Sequence, residues 1–409
     1  MKCLAYLLSV VLSISSAFTF AADGGQAPAA AGADHKARDA MESIRPPVPT
    51  AVPMAIPAPP MVNGKAWVLI DYQTGQVLAE NNADQRREPA SLTKMMTIYT
   101  VAQALKEGHV HLTDQVPISE KAWKTGGSRM FVEVGKKVEL EQLMKGDMID
   151  SGNDASVALA EYVSGSEDVF AQLMNQNAAR LGMTGTHFVN STGLPVPDHY
   201  TTARDLGRLA IALIRDFPDV YKWFSIKEFT FNGITQHNRN KLLWEDSSVD
   251  GIKTGFHDAA GYCLVASGLR DGMRLIAVVM GSESAKTRVE AARALLNYGF
   301  RFYETDKLYS ANQVIKNERV WKGAADSVPL GTTRDIYLTL PRGQGKNLKA
   351  AVKVDGNLIA PLKKGERRGT LEISLDNKHL LSQPLVLLQD VAAGGIVDRA
   401  VDSVKLMLK

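Results

Sequence analysis

Pro89-Ala90-Ser91-Leu92-Thr93-Lys94-Met95-Met96 decides the reading of this chain, together with two shorter strings that follow in order, Ser151-Gly152-Asn153 and Lys253-Thr254-Gly255. On a helix, residues three apart share a face, so Ser91 and Lys94 meet through local structure alone. A hydroxyl is a weak nucleophile at its own pKa and needs a base within hydrogen-bond reach. Lys94 supplies one if burial and a neighbouring cation push its pKa down, and Lys253 is the natural neighbour. Ser91 also falls at a first helical turn, where free N–H groups and the helix dipole favour developing negative charge. Taken alone, the segment is a surface helix with a capping serine; the two partner strings argue against that.

Ser151 and Asn153 alternate on an expected loop ahead of a helix from Asp154. A second hydroxyl beside a lysine relays a proton to a leaving amine, and a carboxamide holds a substrate amide. A Ser or Asx turn capping the helix is the structural alternative, and both can hold at once. Lys253-Thr254-Gly255 reads as an edge strand. There Lys253 and Thr254 take a terminal carboxylate, and Gly255 lets a substrate backbone approach closely. The N–H of Phe256, paired with that of Ser91, forms an oxyanion hole.

Around these strings the periodicity alternates between strand and helix. Trp67-Val68-Leu69-Ile70-Asp71-Tyr72 and Gln76-Val77-Leu78-Ala79 predict a hairpin through Gln73-Thr74-Gly75. Helical patterns follow the nucleophile serine and recur at 140–148, 155–163, 170–181 and 203–214. Strands at 262–267 and 274–280 turn at Arg270-Asp271-Gly272, and a last amphipathic helix carries Val289, Ala292, Leu295, Leu296, Gly299 and Phe302. Strands at both ends with helices between them predict an α+β fold, a mixed domain of antiparallel sheet covered by helices over 63–305. From 306 to 391 short alternating runs broken by Asp355-Gly356, Gly365 and Asp376-Asn377 predict a small all-β domain.

The termini read differently. Met1-Lys2, an apolar run to Phe20 and Thr19-Phe20-Ala21 predict a cleaved signal peptide over 1–22, with an uncleaved anchor as the alternative. An Ala-, Gly- and Pro-rich stretch over 23–62 predicts a flexible arm. At 394–409, Ile396, Val397, Ala400, Val401, Val404, Met407 and Leu408 share one face of a helix too short to span a bilayer. It lies on a membrane surface or docks on the protein itself. Only Cys263 follows the leader, so no internal disulfide is expected, and its strand-like setting makes it a buried small hydrophobe.

The 409 residues are 45% hydrophobic and 22% charged, an ordinary globular balance that excludes membrane-embedded and fully disordered classes. A net charge of +3 without basic helices excludes nucleic acid as a partner. The histidines lack metal spacing, so neither metal nor cofactor is expected. Asn190-Ser191-Thr192 matches a glycosylation sequon but reads as a loop.

The three strings, with Asn82-Ala83-Asp84, Arg86-Arg87, Asn238-Arg239-Asn240 and Val249-Asp250-Gly251-Ile252 ahead of Lys253, resemble the low-molecular-mass penicillin-binding proteins. The likeness is to the D-alanyl-D-alanine carboxypeptidases that carry a β-rich second domain and a C-terminal amphipathic anchor. It implies a β-lactamase/transpeptidase-like first domain and an acyl-enzyme on Ser91, with the pentapeptide stem of peptidoglycan as substrate and β-lactam antibiotics as inhibitors. It also implies a periplasmic protein held on the outer face of the inner membrane by the C-terminal helix. By position Arg239 and Arg288 resemble family arginines near the substrate carboxylate, although an arginine can equally brace a loop. His257 reads as a polar rim residue, since some relatives carry histidine one place earlier. A serine β-lactamase is the competing enzyme, but no Glu-x-x-Leu-Asn string lies between Asn153 and Lys253, and a lactamase has no use for a second domain. A non-catalytic envelope scaffold is the competing binding protein, against which the intact Ser91 and Lys94 stand.

Overall fold

Alternation along Ala66-Trp67-Val68-Leu69-Ile70-Asp71 sorts the first strand onto two cores. The computed structural model describes residues 56–408, so the leader and most of the expected arm lie outside the described residues. In β1 (Ala66–Asp71) all six side chains are buried. Trp67 and Leu69 join one apolar cluster, and Val68 and Ile70 join another. A strand buried on both faces belongs in the middle of a covered sheet. It sits there: β1, β2 (Val77–Asn81), β3 (Val249–His257), β4 (Gly261–Arg270) and β5 (Met273–Ser282) form one antiparallel sheet in the order β2-β1-β5-β4-β3. The strand bearing Lys253-Thr254-Gly255 is therefore an edge strand, as its sequence implies.

Helices cover the two faces. On one side lie α1 (Lys94–Lys106), α2 (Leu140–Lys145), α3 (Asn153–Ser164), α4 (Glu167–Arg180) and α5 (Ala203–Asp216); on the other lies α6 (Ala285–Phe302). Thr202 caps α5 by accepting from Asp205 N, and Ser284 with Thr287 forms a capping box at the start of α6. Glycines let both helices approach the sheet. A Cβ on Gly207 would lie 2.4 Å from Ile70 Cδ1, and one on Gly299 would lie 2.4 Å from Leu275 Cδ1. The pattern at 140–148 does not continue as one α-helix: α2 gives way to a wider turn, Gly146–Asp150, which ends at Ser151.

Tyr303 opens the β-rich part directly after α6. Its strands are β6 (Tyr303–Tyr309), β7 (Lys316–Trp321), β8 (Ser327–Gly331), β9 (Ile336–Pro341), β10 (Leu348–Val354), β11 (Leu358–Ile359), β12 (Arg367–Leu375) and β13 (Lys378–Leu387). Six form a sheet in the order β10-β12-β13-β8-β7-β11, while β6 pairs with β9. Leu338, Leu340, Leu371 and Leu385 pack as one of its two apolar clusters. Thr305 Oγ1 donates to Asp71 Oδ2 over 2.7 Å, and the Thr74 and Thr339 hydroxyls meet at 2.8 Å, so the β6–β9 pair is fastened beside the β1–β2 turn.

One terminal expectation changes. The last part of the arm is not a free spacer: Ile56 and Val62 pack against the α6 side of the sheet, and Tyr298 Oη donates to Pro57 O over 3.0 Å. Proline-fixed extended backbone with an apolar residue at each end suits lying along a groove. At the other end α7 (Ile396–Met407) is tied down by its polar side, with Asp402 Oδ2 accepting from Lys322 N at 2.6 Å. Ile396, Val397, Val404, Met407 and Leu408 stay exposed, so the apolar face is not docked on the described protein. Among the described residues no helix is long and apolar enough to cross a membrane.

Filling the contact beneath α6 should destabilise the fold. Gly299→Val, whose Cβ also falls 3.0 Å from Leu69 Cδ2, is expected to cost about 1–3 kcal/mol by overpacking. A lowered denaturant midpoint at unchanged slope is the measurement.

Candidate active site

Ser91 lies on a tight 3-10 turn, Ala90–Thr93, that runs straight into α1 at Lys94. The turn tightens the local geometry but keeps the three-residue spacing that faces Ser91 toward Lys94. Lys94 is fully buried, and its ammonium is surrounded by acceptors: Asn153 Oδ1 at 2.6 Å, Thr192 O at 2.7 Å and Ser91 Oγ at 3.4 Å. Burial pushes the Lys94 ammonium down to about 8, against the pull of Asp147 and Asp154 and with help from the Arg239 charge. A lysine titrating there is about one-tenth neutral at pH 7, far more than an ordinary lysine, and a base must be neutral to accept a proton.

The loop that supplies Thr192 O is the Asn190-Ser191-Thr192 segment read as a loop from sequence. Asn190 Oδ1 accepts from Thr192 N and Gly193 N and so folds it back on itself. Gly193 has φ +82, and a Cβ there would fall 1.8 Å from Ala90 O, so only glycine allows this loop to close on the nucleophile turn. Thr93 is held from the same side by His199. That ring accepts from Val189 N at Nδ1, so its Nε2–H faces Thr93 Oγ1 at 2.9 Å. Burial holds the imidazole down at about 4, which keeps it neutral.

Ser151 closes the wide turn after α2 in a left-handed conformation, φ 61. Its hydroxyl accepts from Lys253 Nζ at 2.8 Å. Burial, with the Lys94 charge next, pushes Lys253 well below the ordinary lysine range. Asn153 is placed otherwise than on the loop expected for it. It is the first residue of α3; its Oδ1 is taken by Lys94, and its Nδ2 donates to Gly126 O at 2.7 Å. It thus joins the lysine to the 126–132 loop. Asp154 fixes the far end of that loop, accepting from Met130 N, Phe131 N and Val132 N.

On β3, Lys253 and Thr254 are buried, and Gly255 rests against the nucleophile turn. A Cβ on Gly255 would sit 3.0 Å from Pro89 O and 3.2 Å from Leu92 N. Phe256 is half exposed at the strand end and stacks on Tyr262 with centroids 4.1 Å apart. Arg239 is exposed between two buried asparagines: Asn238 Oδ1 accepts from Asn240 N at 2.9 Å, and Asn240 Oδ1 accepts from Leu242 N at 3.2 Å. The asparagines hold the turn that presents the arginine, whose charge reaches Lys94, Lys253 and Asp150.

Arg288 departs from the substrate contact expected of it. It is buried on α6, where its Nη1 donates to Gly255 O at 3.1 Å and Cys263 O at 3.4 Å, so it braces β3 and β4 from behind. His257 is more than a rim residue, since its Nε2 lies 3.2 Å from Glu88 Oε2. Cys263 is fully buried, as expected of a small hydrophobe.

Three buried acids escaped the sequence reading. Asp154 was seen as a helix start, but Asp147 and Asp150 gave no signal, because acids at a helix end ordinarily face water. Burial raises Asp147 to about 6 and Asp150 to about 7. Asp147 accepts from Ser156 Oγ, while Asp150 Oδ1 makes no protein hydrogen bond.

The assembly is a buried serine–lysine pair, a second hydroxyl–lysine pair and a strand edge beside them, which together suit acyl transfer to a serine. The family model for D-alanyl-D-alanine carboxypeptidase matches residues 54–284, and that for the C-terminal domain of penicillin-binding protein 5 matches residues 303–393. D-alanyl-D-alanine carboxypeptidase DacA of Escherichia coli is 46% identical over 360 residues, 86% of this chain and 89% of its own length. DacC of the same organism is 45% identical over 355 residues, 85% of this chain and 89% of its own length. The crystal structure of penicillin-binding protein 5 from Haemophilus influenzae superimposes with a TM-score of 0.78 at 43% identity, covering 82% of this chain and 99% of that one.

Asp150 makes stability depend on pH in a predictable sense. Its carboxyl titrates at about 7 when folded against an ordinary 3.8, so the folded state loses stability as pH rises between those values. Asp150→Asn removes that loss. Between pH 5 and pH 8 the variant should gain on the wild type by roughly 1–3 kcal/mol, read from denaturant midpoints at the two pH values.

Proposed function

The chain belongs to the D-alanyl-D-alanine carboxypeptidase family, and on that premise we propose that it removes the terminal D-alanine from peptidoglycan pentapeptide stems through an acyl-enzyme on Ser91. The observation that carries the reading is the fully buried Lys94 ammonium, 3.4 Å from Ser91 Oγ and depressed to about 8. Neutral Lys94 takes the Ser91 proton as Oγ attacks the penultimate D-alanine carbonyl. The N–H groups of Ser91 and Phe256 stabilise the resulting oxyanion. Ser151, hydrogen-bonded to Lys253, passes a proton to the leaving amine as the C–N bond breaks. The proton taken by Lys94 has by then passed by way of Ser151 to the amine, so Lys94 is neutral again; water attacks the ester, Lys94 takes its proton, and that proton returns to Ser91 Oγ as the ester C–O bond breaks.

Substrate contacts follow from the strand edge. Lys253, Thr254 and the exposed Arg239 receive the terminal carboxylate, Gly255 lets the peptide backbone lie along β3, and Asn153 acts by holding Lys94 and the 126–132 loop. Arg288 acts on the substrate only through β3. β-Lactams acylate Ser91 because their strained ring carbonyl occupies the position of the scissile bond. Labelled penicillin should add one acyl group per wild-type chain, mapped to the Ser91 peptide, while a pentapeptide substrate releases D-alanine. Ser91→Ala should abolish both; label retained by the variant would overturn the assignment.

For location we propose the periplasm, with α7 holding the protein on the outer face of the inner membrane. Its exposed Ile396, Val397, Val404, Met407 and Leu408 support this, since an apolar face left uncovered inserts into the headgroup boundary. Asp398 and Asp402 offset Arg399, Lys405 and Lys409, so apolar insertion dominates and binding is reversible. Truncation before Ile396 should move the protein from the membrane fraction to the soluble one with activity unchanged.

A further inference from the structure

Two backbone segments between which no hydrogen bond runs among the described residues must stay in register for the proposed oxyanion hole to exist. One bears Ser91 and begins at Glu88-Pro89; the other is the end of β3, with Phe256 followed by His257. Packing alone brings them together at Gly255, where Pro89 O and Leu92 N fill the space of a side chain. Among the described residues one side-chain pair links the two: His257 Nε2 stands 3.2 Å from Glu88 Oε2.

The geometry of the ring fixes its role. Ala260 N donates to His257 Nδ1 at 3.2 Å, so that nitrogen is the acceptor and the ring proton sits on Nε2, the nitrogen nearer the carboxylate. The imidazole is thus held by the β3–β4 turn through one nitrogen and places the other against the Glu88 carboxylate as a close polar contact. His257 is still paired in the sheet, opposite Gly261, so a pull on its ring is a pull on the strand that carries Phe256. Glu88 Oε2 is buried and has no hydrogen-bond partner, so its close contact with the His257 ring is the polar contact it makes. Neither residue reaches the Lys94 and Lys253 ammonium groups, and nothing in the proposed proton path uses them.

We infer that the Glu88–His257 pair is a strut that sets the width of the oxyanion hole by holding the N–H of Phe256 at a fixed distance from that of Ser91. Both are positioning residues. The inference rests on the acyl-enzyme reading above, because only a reaction through Ser91 makes that distance matter. Loss of the strut lets the end of β3 move outward while Lys253 and Thr254, deeper in the sheet, keep their grip on the carboxylate. Rate therefore falls and binding does not.

The test uses the full chain with labelled penicillin and a pentapeptide. Glu88→Ala and His257→Ala should each slow acylation of Ser91 and lower kcat by about tenfold to hundredfold at nearly unchanged KM. The double variant should be no slower than the worse single one. His257→Gln, which keeps an N–H where Nε2 stood, and Glu88→Gln, which keeps an acceptor, should return most of the rate; they also serve if an alanine variant fails to fold. Variants as fast as the wild type, a double variant whose loss is the product of the two single losses, no recovery by the glutamines, or a loss appearing in KM would each overturn the strut. Failure of the wild type to take label on Ser91 would overturn the acyl-enzyme reading itself, and the strut with it; label on Ser91 with unchanged rates overturns the strut alone.

Discussion

Two ammonium groups, those of Lys94 and Lys253, are buried in one cleft, and the rest of the site follows from what burial demands of them. A buried cation needs either partners or a lowered pKa, and here both appear. Lys94 is surrounded by Asn153 Oδ1, Thr192 O and Ser91 Oγ; Lys253 reaches Ser151 Oγ and Thr254 O. The acids behind them are buried in turn, so Asp147 shares the compromise with its own pKa raised. Lost hydration first, and at Lys253 the neighbouring Lys94 charge next, thus lower the pKa of both lysines.

Much of this was legible in the sequence because it depends on short spacings. Three residues from Ser91 to Lys94 fix a shared face in a 3-10 turn as well as in an α-helix, so the pairing survives the error about helix type. Lys253-Thr254-Gly255 reads as an edge strand, and strands at both ends with helices between them announce a sheet covered by helices. What could not be read depends on contacts between segments far apart in the chain. Asn153 is drawn inward by Lys94 and by Gly126 O; Arg288 spends its donors on the carbonyls of two strands; Ile56 and Val62 find a groove that only the folded sheet creates. A single arginine in a helical pattern carries no sign of which strand it will brace.

The second domain and the C-terminal helix show the same division. Alternating runs and turn residues marked an all-β region, but its fastening through Thr305, Asp71, Thr74 and Thr339 involves small hydroxyls that have no pattern. For α7 the apolar stripe was plain, and its direction was not. The hydrogen bond from Lys322 N to Asp402 decides it, turning the acid inward and the stripe outward.

Strand edges are also where folded proteins stick to one another, because a row of free N–H and C=O groups will pair with any extended chain. β3 is such an edge, and it cannot be blunted with a proline or an outward lysine if a peptide is to lie along it. The nucleophile turn packs over the face of that strand at Gly255, where an added Cβ would lie 3.0 Å from Pro89 O. Substrate binding and solubility therefore meet at one strand edge, and a change that lengthened its free stretch would at the same time offer a surface for aggregation.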